Sequence, residues 1–89
     1  MPGYIISLNL TRPIEYYVGL FNRIKSLGYW MSYVPCTWVV TSNLTTKQIY
    51  DILINYLYPE DNILIMRLQG DWYGRLPSYA YDWLHSQIG

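Results

Sequence analysis

Cys36 and His85 are the side chains best suited to nucleophilic catalysis, as a thiolate and its general base. Such a pair works when the two side chains are within hydrogen-bond reach and a third group orients the base. Here the pattern places Cys36 in a turn and His85 on a C-terminal helix, and it indicates no third group. The sequence therefore favours an exposed His85 over a catalytic pair.

The acidic side chains fall at opposite ends of one predicted strand. Glu60 and Asp61 precede that strand and Asp71 follows it, so they do not form a single carboxylate cluster. We interpret them as turn residues. The sequence also has no Gly-rich phosphate loop, no set of zinc ligands and no deaminase-type His-Glu pattern. These motifs therefore predict neither a cofactor nor a metal site.

Asn9 stands at the end of the first predicted strand, where an acidic residue would suggest a metal site. An amide oxygen can bind Mg²⁺, but it brings no charge, and carboxylates are the usual ligands at phosphoryl-transfer sites. The alternative is a polar residue that satisfies backbone groups at a strand end, a common role for Asn. We favour this second interpretation.

Basic residues are interleaved with aromatic residues along the chain, and such a mixture on a sheet face can stack exposed bases. The expected RNP-like basic and aromatic strand motif is missing, and the favoured role for these aromatics is packing in a core or a dimer contact. The basic residues concerned are Arg12, Arg23, Lys25, Arg67 and Arg75.

The composition describes one small domain with apolar surface to spare. The 89 residues are 52% hydrophobic and 18% aromatic but only 13% charged, about half the usual share of ~25%. A chain of this length leaves much of its surface exposed. We therefore expect an aromatic surface that a partner covers.

The charge balance and the single cysteine narrow the expected partners and compartment. Six basic and six acidic residues cancel, so strong nonspecific binding of nucleic acid or of an anionic membrane is not expected. The longest aliphatic run, residues 63–66, is far shorter than a membrane span. One cysteine cannot form an internal disulfide, which suits a reducing compartment. The expected location is the cytoplasm.

The elements that must position these residues follow from periodicity and punctuation. Alternating side chains predict a strand over residues 4–10, and helical spacing predicts an amphipathic helix over 13–27. Residues 29–42 are predicted to form a hairpin whose two strands are separated at Pro35-Cys36. Thr45 and Gln48 have capping-box spacing at the start of a helix that Pro59 ends. A fourth strand over 63–69 and a short helix over 78–88, which would carry Tyr79, Trp83 and Leu84 inward, complete the chain.

This order, β-α-β-β-α-β, predicts one α+β domain over residues 1–89 with the ferredoxin-like fold. Two helices would cover one face of a four-stranded antiparallel sheet and leave the other face open, with a short C-terminal helix after the last strand. The residues that alternation assigns to this open face, which we expect to form a dimer or binding surface, are Ile5, Ser7, Asn9, Ile63, Ile65 and Arg67.

Several segments in this order resemble small bacterial and phage proteins filed as SinR-family hypothetical proteins. These in turn are similar to the CRISPR-associated endoribonuclease of the spacer-adaptation complex and to VapD-type toxins. The resemblance covers nearly the whole chain. The matching segments are Tyr4-Ile5-Ile6-Ser7, Ile24-Lys25-Ser26-Leu27-Gly28 with Trp30, Thr37-Trp38-Val39-Val40-Thr41, Leu44 to Ile49, Gly70-Asp71-Trp72 and Asp82-Trp83-Leu84.

The resemblance implies a particular site and a dimer. Relatives with nuclease activity carry an aspartate at the end of the first strand, where two copies meet and hold a divalent metal. This chain has Asn9 at the matching position, and Ser32 and Tyr33 where many members have histidines.

Two functions follow as hypotheses. The first is a non-enzymatic homodimeric binding or accessory module of phage or mobile-element origin, acting through protein or, more weakly, nucleic-acid contact. The second is a metal-dependent endoribonuclease or toxin with a degenerate site around Asn9 and Ser7. The missing carboxylate favours the first.

Overall fold

A computed structural model describes residues 1–88 and has the predicted α+β architecture, with a four-stranded antiparallel sheet and three helices. The elements, in chain order, are β1 (Gly3–Asn9), α1 (Val18–Lys25), β2 (Trp30–Val34), β3 (Thr37–Thr41), α2 (Thr46–Leu53), β4 (Asn62–Leu68) and α3 (Ser78–Gln87). Within these described residues no helix combines the length and apolar character needed to cross a membrane.

The sheet has the strand order β2-β3-β1-β4, so the first strand is central and the last strand is an edge. β1 lies antiparallel to both neighbours, with Ile6 opposite Trp38 on one side and opposite Ile65 on the other. This order confirms the predicted split βαβ pattern, in which two β-α-β units interleave their strands.

The first predicted helix is divided near its start. Residues Ile14–Tyr17 form a 3-10 turn after Pro13, and the α-helix begins only at Val18. Tyr17 has φ −113° and ψ 19°, outside the helical range, so it breaks the regular hydrogen-bond ladder. This break lets the Tyr17 side chain turn into the core, where it is almost completely buried.

The second helix begins where its capping residues predict. The Thr45 hydroxyl accepts a hydrogen bond from the Gln48 amide at 3.1 Å, and the Gln48 side chain accepts one from the Thr45 amide at 2.9 Å. This reciprocal pair is the predicted capping box. A 3-10 turn, Ile54–Tyr56, follows the α-helix before Pro59.

The main core lies between one sheet face and the helices α1 and α2. Alternate β1 residues point into it because successive strand side chains face opposite ways. The fully or nearly fully buried members are Tyr4, Ile6, Leu8, Tyr17, Leu20, Ile24, Trp38, Val40, Ile49 and Leu53.

The C-terminal helix corrects the expectation of a fully open second sheet face. α3 packs on that face, where Ala80 and Leu84 are buried against Met31 and Val39 in a second, smaller core. Tyr79, which was expected to point inward, is instead 56% exposed. The helix covers the half of the face near the start of β1, because Ile5, Leu68 and Ile88 pack in the same cluster.

Candidate functional site

The pairing of β1 with β4 decides which predicted site residues share a surface. Ile5 lies opposite Met66 and Ser7 opposite Leu64, so these four residues are on the second sheet face. Asn9 lies opposite Asn62 on that same face. Ile5, Ser7 and Asn9 are therefore on the face predicted for them.

The prediction for β4 was wrong by one residue of alternation. Ile63 and Ile65 pack against the main core beneath the helices, and Arg67 lies opposite Tyr4, whose side chain is buried in that core. They do not join Ile5, Ser7 and Asn9. The sequence pattern could not decide which alternate side chains of β4 face the helices, because Leu64 and Met66 are as apolar as Ile63 and Ile65. A shift of one residue exchanges the two faces of a strand.

Asn9 and Asn62 form a cross-strand pair of exposed amides where β1 ends and β4 begins. Residues directly opposite each other in an antiparallel pair have Cβ atoms ~4.5–5.5 Å apart. Sequence reasoning singled out Asn9 and missed Asn62. The available signal was antiparallel pairing itself, because the end of one strand then lies beside the start of its neighbour.

The half of the second face that α3 does not cover carries both polar and apolar side chains. Leu64 is 58% exposed and Met66 is 54% exposed, beside exposed Ser7 and Asn9. We call this surface the open half-face and define it by Ser7, Asn9, Asn62, Leu64 and Met66. It adjoins the free edge of β4, and among residues 1–88 no backbone hydrogen bond from outside the sheet reaches residues 62–68.

Asp61 is occupied by structural hydrogen bonds. Its carboxylate accepts bonds from the amide and hydroxyl of Thr11, the Tyr17 hydroxyl and the Tyr58 amide, at 2.6–2.9 Å. Partial burial by itself would raise the pKa of Asp61, but these donors outweigh it and lower the pKa to about 2. The interpretation of Asp61 as a turn residue is confirmed.

Arg12 lies beside the same turn. Its guanidinium stacks over the Tyr58 ring, 3.9 Å from the centroid, and pairs with Glu60 at 3.5 Å. The ion pair is solvent-exposed and weak by geometry. Arg12 and Glu60 therefore help to hold the connection between β1 and α1 against the loop before β4, and neither points to a separate ligand site.

Cys36 and His85 stay on different elements, as predicted. Cys36 is exposed in the turn between β2 and β3. His85 is exposed on α3, with its ring 5.1 Å from that of Trp72 and 5.9 Å from that of Tyr81. The structure gives His85 aromatic neighbours in place of a nucleophile.

The cationic side chains are distributed over separate surfaces. Lys25 lies over the Trp30 ring at 4.9 Å on the helical side of the sheet, and Arg23 donates to the Ser26 hydroxyl. Arg67 is also on the helical side of the sheet, whereas Arg75 is in the loop before α3. The aromatic and basic residues therefore do not combine into one sheet face of the kind that stacks bases.

The ligand chemistry of the open half-face is that of neutral amides, one hydroxyl and two apolar side chains. Across residues 1–88, no three His, Cys, Asp or Glu side chains come together in an arrangement that could hold a metal ion. In comparisons with known proteins, the chain matched no protein-family model and no curated protein.

Proposed function

We propose that the protein is a non-enzymatic binding module that works as a homodimer. The observation that carries this proposal is the exposure of Leu64 and Met66 on an edge strand, beside a sheet face that α3 covers only in part. Exposed apolar side chains next to unpaired backbone donors and acceptors favour pairing with another chain.

A second copy of the chain is the partner that this edge fits best. β4 has seven residues centred on Ile65, so a twofold axis beside Ile65 would pair it antiparallel with the same strand of the second copy. Leu64 of each copy would then lie opposite Met66 of the other copy, so this apolar pair would occur twice in the interface. Each strand would satisfy the other's free backbone groups, and the two sheets would become one of eight strands.

Burial of the exposed Leu64 and Met66 side chains would favour this arrangement. An interface of about 1,200–2,000 Å² is the usual size of a specific contact. Apolar burial contributes about 25 cal/mol per Å² against an association cost of about 4–15 kcal/mol. The open half-face has no formal charge, so two copies would meet without repulsion between ionised side chains.

The amides at the strand end argue for binding over metal-dependent catalysis. Asn9 stands where the resemblance to SinR-family proteins and CRISPR-associated endoribonucleases would supply a charged ligand, and the residue opposite it, Asn62, is also an uncharged amide. The carboxylate of Asp61, next to Asn62, already accepts hydrogen bonds from four donors in the turn, so it does not replace the missing charged ligand. On that resemblance, the module would be an accessory product of a phage or mobile element.

Sedimentation velocity at micromolar concentration tests the dimer. We expect a dimeric wild type, a monomeric Leu64→Glu variant and a dimeric Tyr79→Glu variant. Tyr79 is a matched control because it is 56% exposed, much like Leu64, but lies on α3 outside the proposed contact. A monomeric wild type, or a Leu64→Glu variant that stays dimeric, would exclude this contact.

Incubation with labelled RNA and DNA, with and without Mg²⁺ or Mn²⁺, tests the non-enzymatic part. We expect no cleavage by the wild type. Metal-dependent cleavage that Asn9→Ala abolishes would instead support the endoribonuclease alternative.

A further inference from the structure

A cavity of about 310 Å³ lies between the second sheet face and the segment that leads into α3. Its floor includes Ile5, Met31 and Val39 from three neighbouring strands, and its walls include Trp72, Leu76 and Leu84. A mostly apolar cavity of this size, between the sheet and the segment packed on it, is typical of small-molecule sites.

The loop over this cavity is held in place by its own contacts. The Tyr81 hydroxyl donates a hydrogen bond to the Gly74 carbonyl, and the Trp72 ring packs 5.5 Å from the Tyr81 ring. Trp72 and Leu76 also belong to the second core. These contacts hold residues 72–76 in place against the sheet and α3, so the packing of this loop maintains the shape of the cavity.

The charge of the lining indicates what kind of ligand fits. Arg75 is the one charged residue among those that line the cavity, and no carboxylate lines it. Within residues 1–88, Arg75 takes part in neither of the ion pairs and donates no side-chain hydrogen bond. A guanidinium is well suited to bind a carboxylate through two parallel hydrogen bonds.

We propose that this cavity binds a small carboxylate with an apolar tail, of the class of medium-chain acids. The tail would lie on Ile5, Met31 and Leu84, and the carboxylate would face Arg75 at the rim. Tyr33 and Thr37 add polar groups to the lining. This site does not depend on the proposed dimer, because none of the open half-face residues lines the cavity.

Calorimetric titration with octanoate, and separately with octanol, tests the proposal. Octanoate binds and octanol binds more weakly, because only the acid has a charge for Arg75. Arg75→Gln weakens octanoate binding about tenfold or more, the loss expected for hydrogen bonds to a charged group. Arg67→Gln is the control, since it removes an exposed arginine on the opposite sheet face and leaves binding unchanged.

A second variant tests the location of the tail. Thr37→Phe places a ring in the cavity and abolishes octanoate binding, while circular dichroism verifies that the sheet is retained. The proposal is overturned if octanoate does not bind the wild type, if octanol binds equally well, or if Arg75→Gln binds octanoate as the wild type does. It is also overturned if folded Thr37→Phe still binds.

Discussion

The Tyr17 hydroxyl lies 2.9 Å from each carboxylate oxygen of Asp61. Tyr17 is almost fully buried at the break between a 3-10 turn and α1, and Asp61 is in the loop before β4. The contact joins two segments 44 residues apart in the chain. It fixes the connection after β1 against the connection before β4, at the end of the sheet where Asn9 and Asn62 meet.

Asp61→Asn should lower the free energy of unfolding by about 1–3 kcal/mol. The amide keeps one acceptor oxygen but loses the charge that strengthens the bonds from Thr11, Tyr17 and Tyr58. Chemical denaturation at neutral pH measures the loss. Asp71→Asn is the control, because Asp71 is exposed and accepts no side-chain hydrogen bond among residues 1–88. Equal stabilities of the two variants would contradict the structural role of Asp61.

The same carboxylate predicts a pH dependence of stability. Its pKa is about 2 in the folded protein, below the ordinary value of 3.8 that applies to the unfolded chain. The unfolded state therefore takes up the proton first, and the contribution of Asp61 is fully present above this window and lost as the pH falls from 3.8 towards 2. Denaturation midpoints of the wild type and Asp61→Asn should converge over that interval, and parallel curves would contradict the assignment.

Thr45→Ala should lower the free energy of unfolding by about 0.5–2 kcal/mol, because it leaves the Gln48 amide at the start of α2 without its acceptor. Thr46→Ala is the matched control, since Thr46 is the first helical residue and has no cap bond. Urea denaturation compares them. If both variants lose the same stability, the capping box does not stabilise this helix.

Gly28→Ala should be severely destabilising, by about 1–3 kcal/mol or more. A Cβ at Gly28 would overlap the backbone carbonyl oxygen of Thr41, which cannot move without shifting β3. Gly70→Ala provides the comparison because nothing lies within 4 Å of its added Cβ. A thermal melt in which Gly28→Ala and Gly70→Ala are equally stable would show that the approach of Gly28 to β3 is not close.

The double variant Asn9→Asp with Asn62→Asp should create an acidic pair that responds to metal. Two carboxylates directly across neighbouring strands repel each other, so the double variant should be less stable than the single variants predict together, by about 0.2–1 kcal/mol. Mg²⁺ should recover this extra loss of stability, because the ion would neutralise the repulsion between the two carboxylates. Thermal melts of the wild type, the two single variants and the double variant, with and without Mg²⁺, measure this coupling. Additive losses of stability with no effect of Mg²⁺ would show that the two side chains do not interact.

Local signals predicted much of the fold because they depend on neighbours in the chain. The capping box of Thr45 and Gln48, the alternation of β1 and the order of the elements all appear in the structure as expected. The sequence predicted a helix that ends at residue 27, just before Gly28, yet α1 ends at Lys25. What requires glycine there is the nearby backbone of β3, a contact that the local pattern does not encode.

The candidate site was predicted only in part. Asn9 and Ser7 lie on the second face as alternation requires, whereas Ile63, Ile65 and Arg67 lie on the helical side. β4 is apolar in both phases, so its orientation depends on which side chains fit beneath α2. That choice is made by packing between elements distant in sequence.

The sequence by itself determined the class of fold, the order of helices and strands along the chain and the neutral amide at Asn9. The tertiary structure decided the facing of β4, the Asn9–Asn62 pair, the use of Asp61 as a hydrogen-bond acceptor and the position of α3 over half of the second face. The physical reason is range: periodicity, caps and turns act within a few residues, whereas register and burial are settled by contacts between segments that the chain brings together only when it folds.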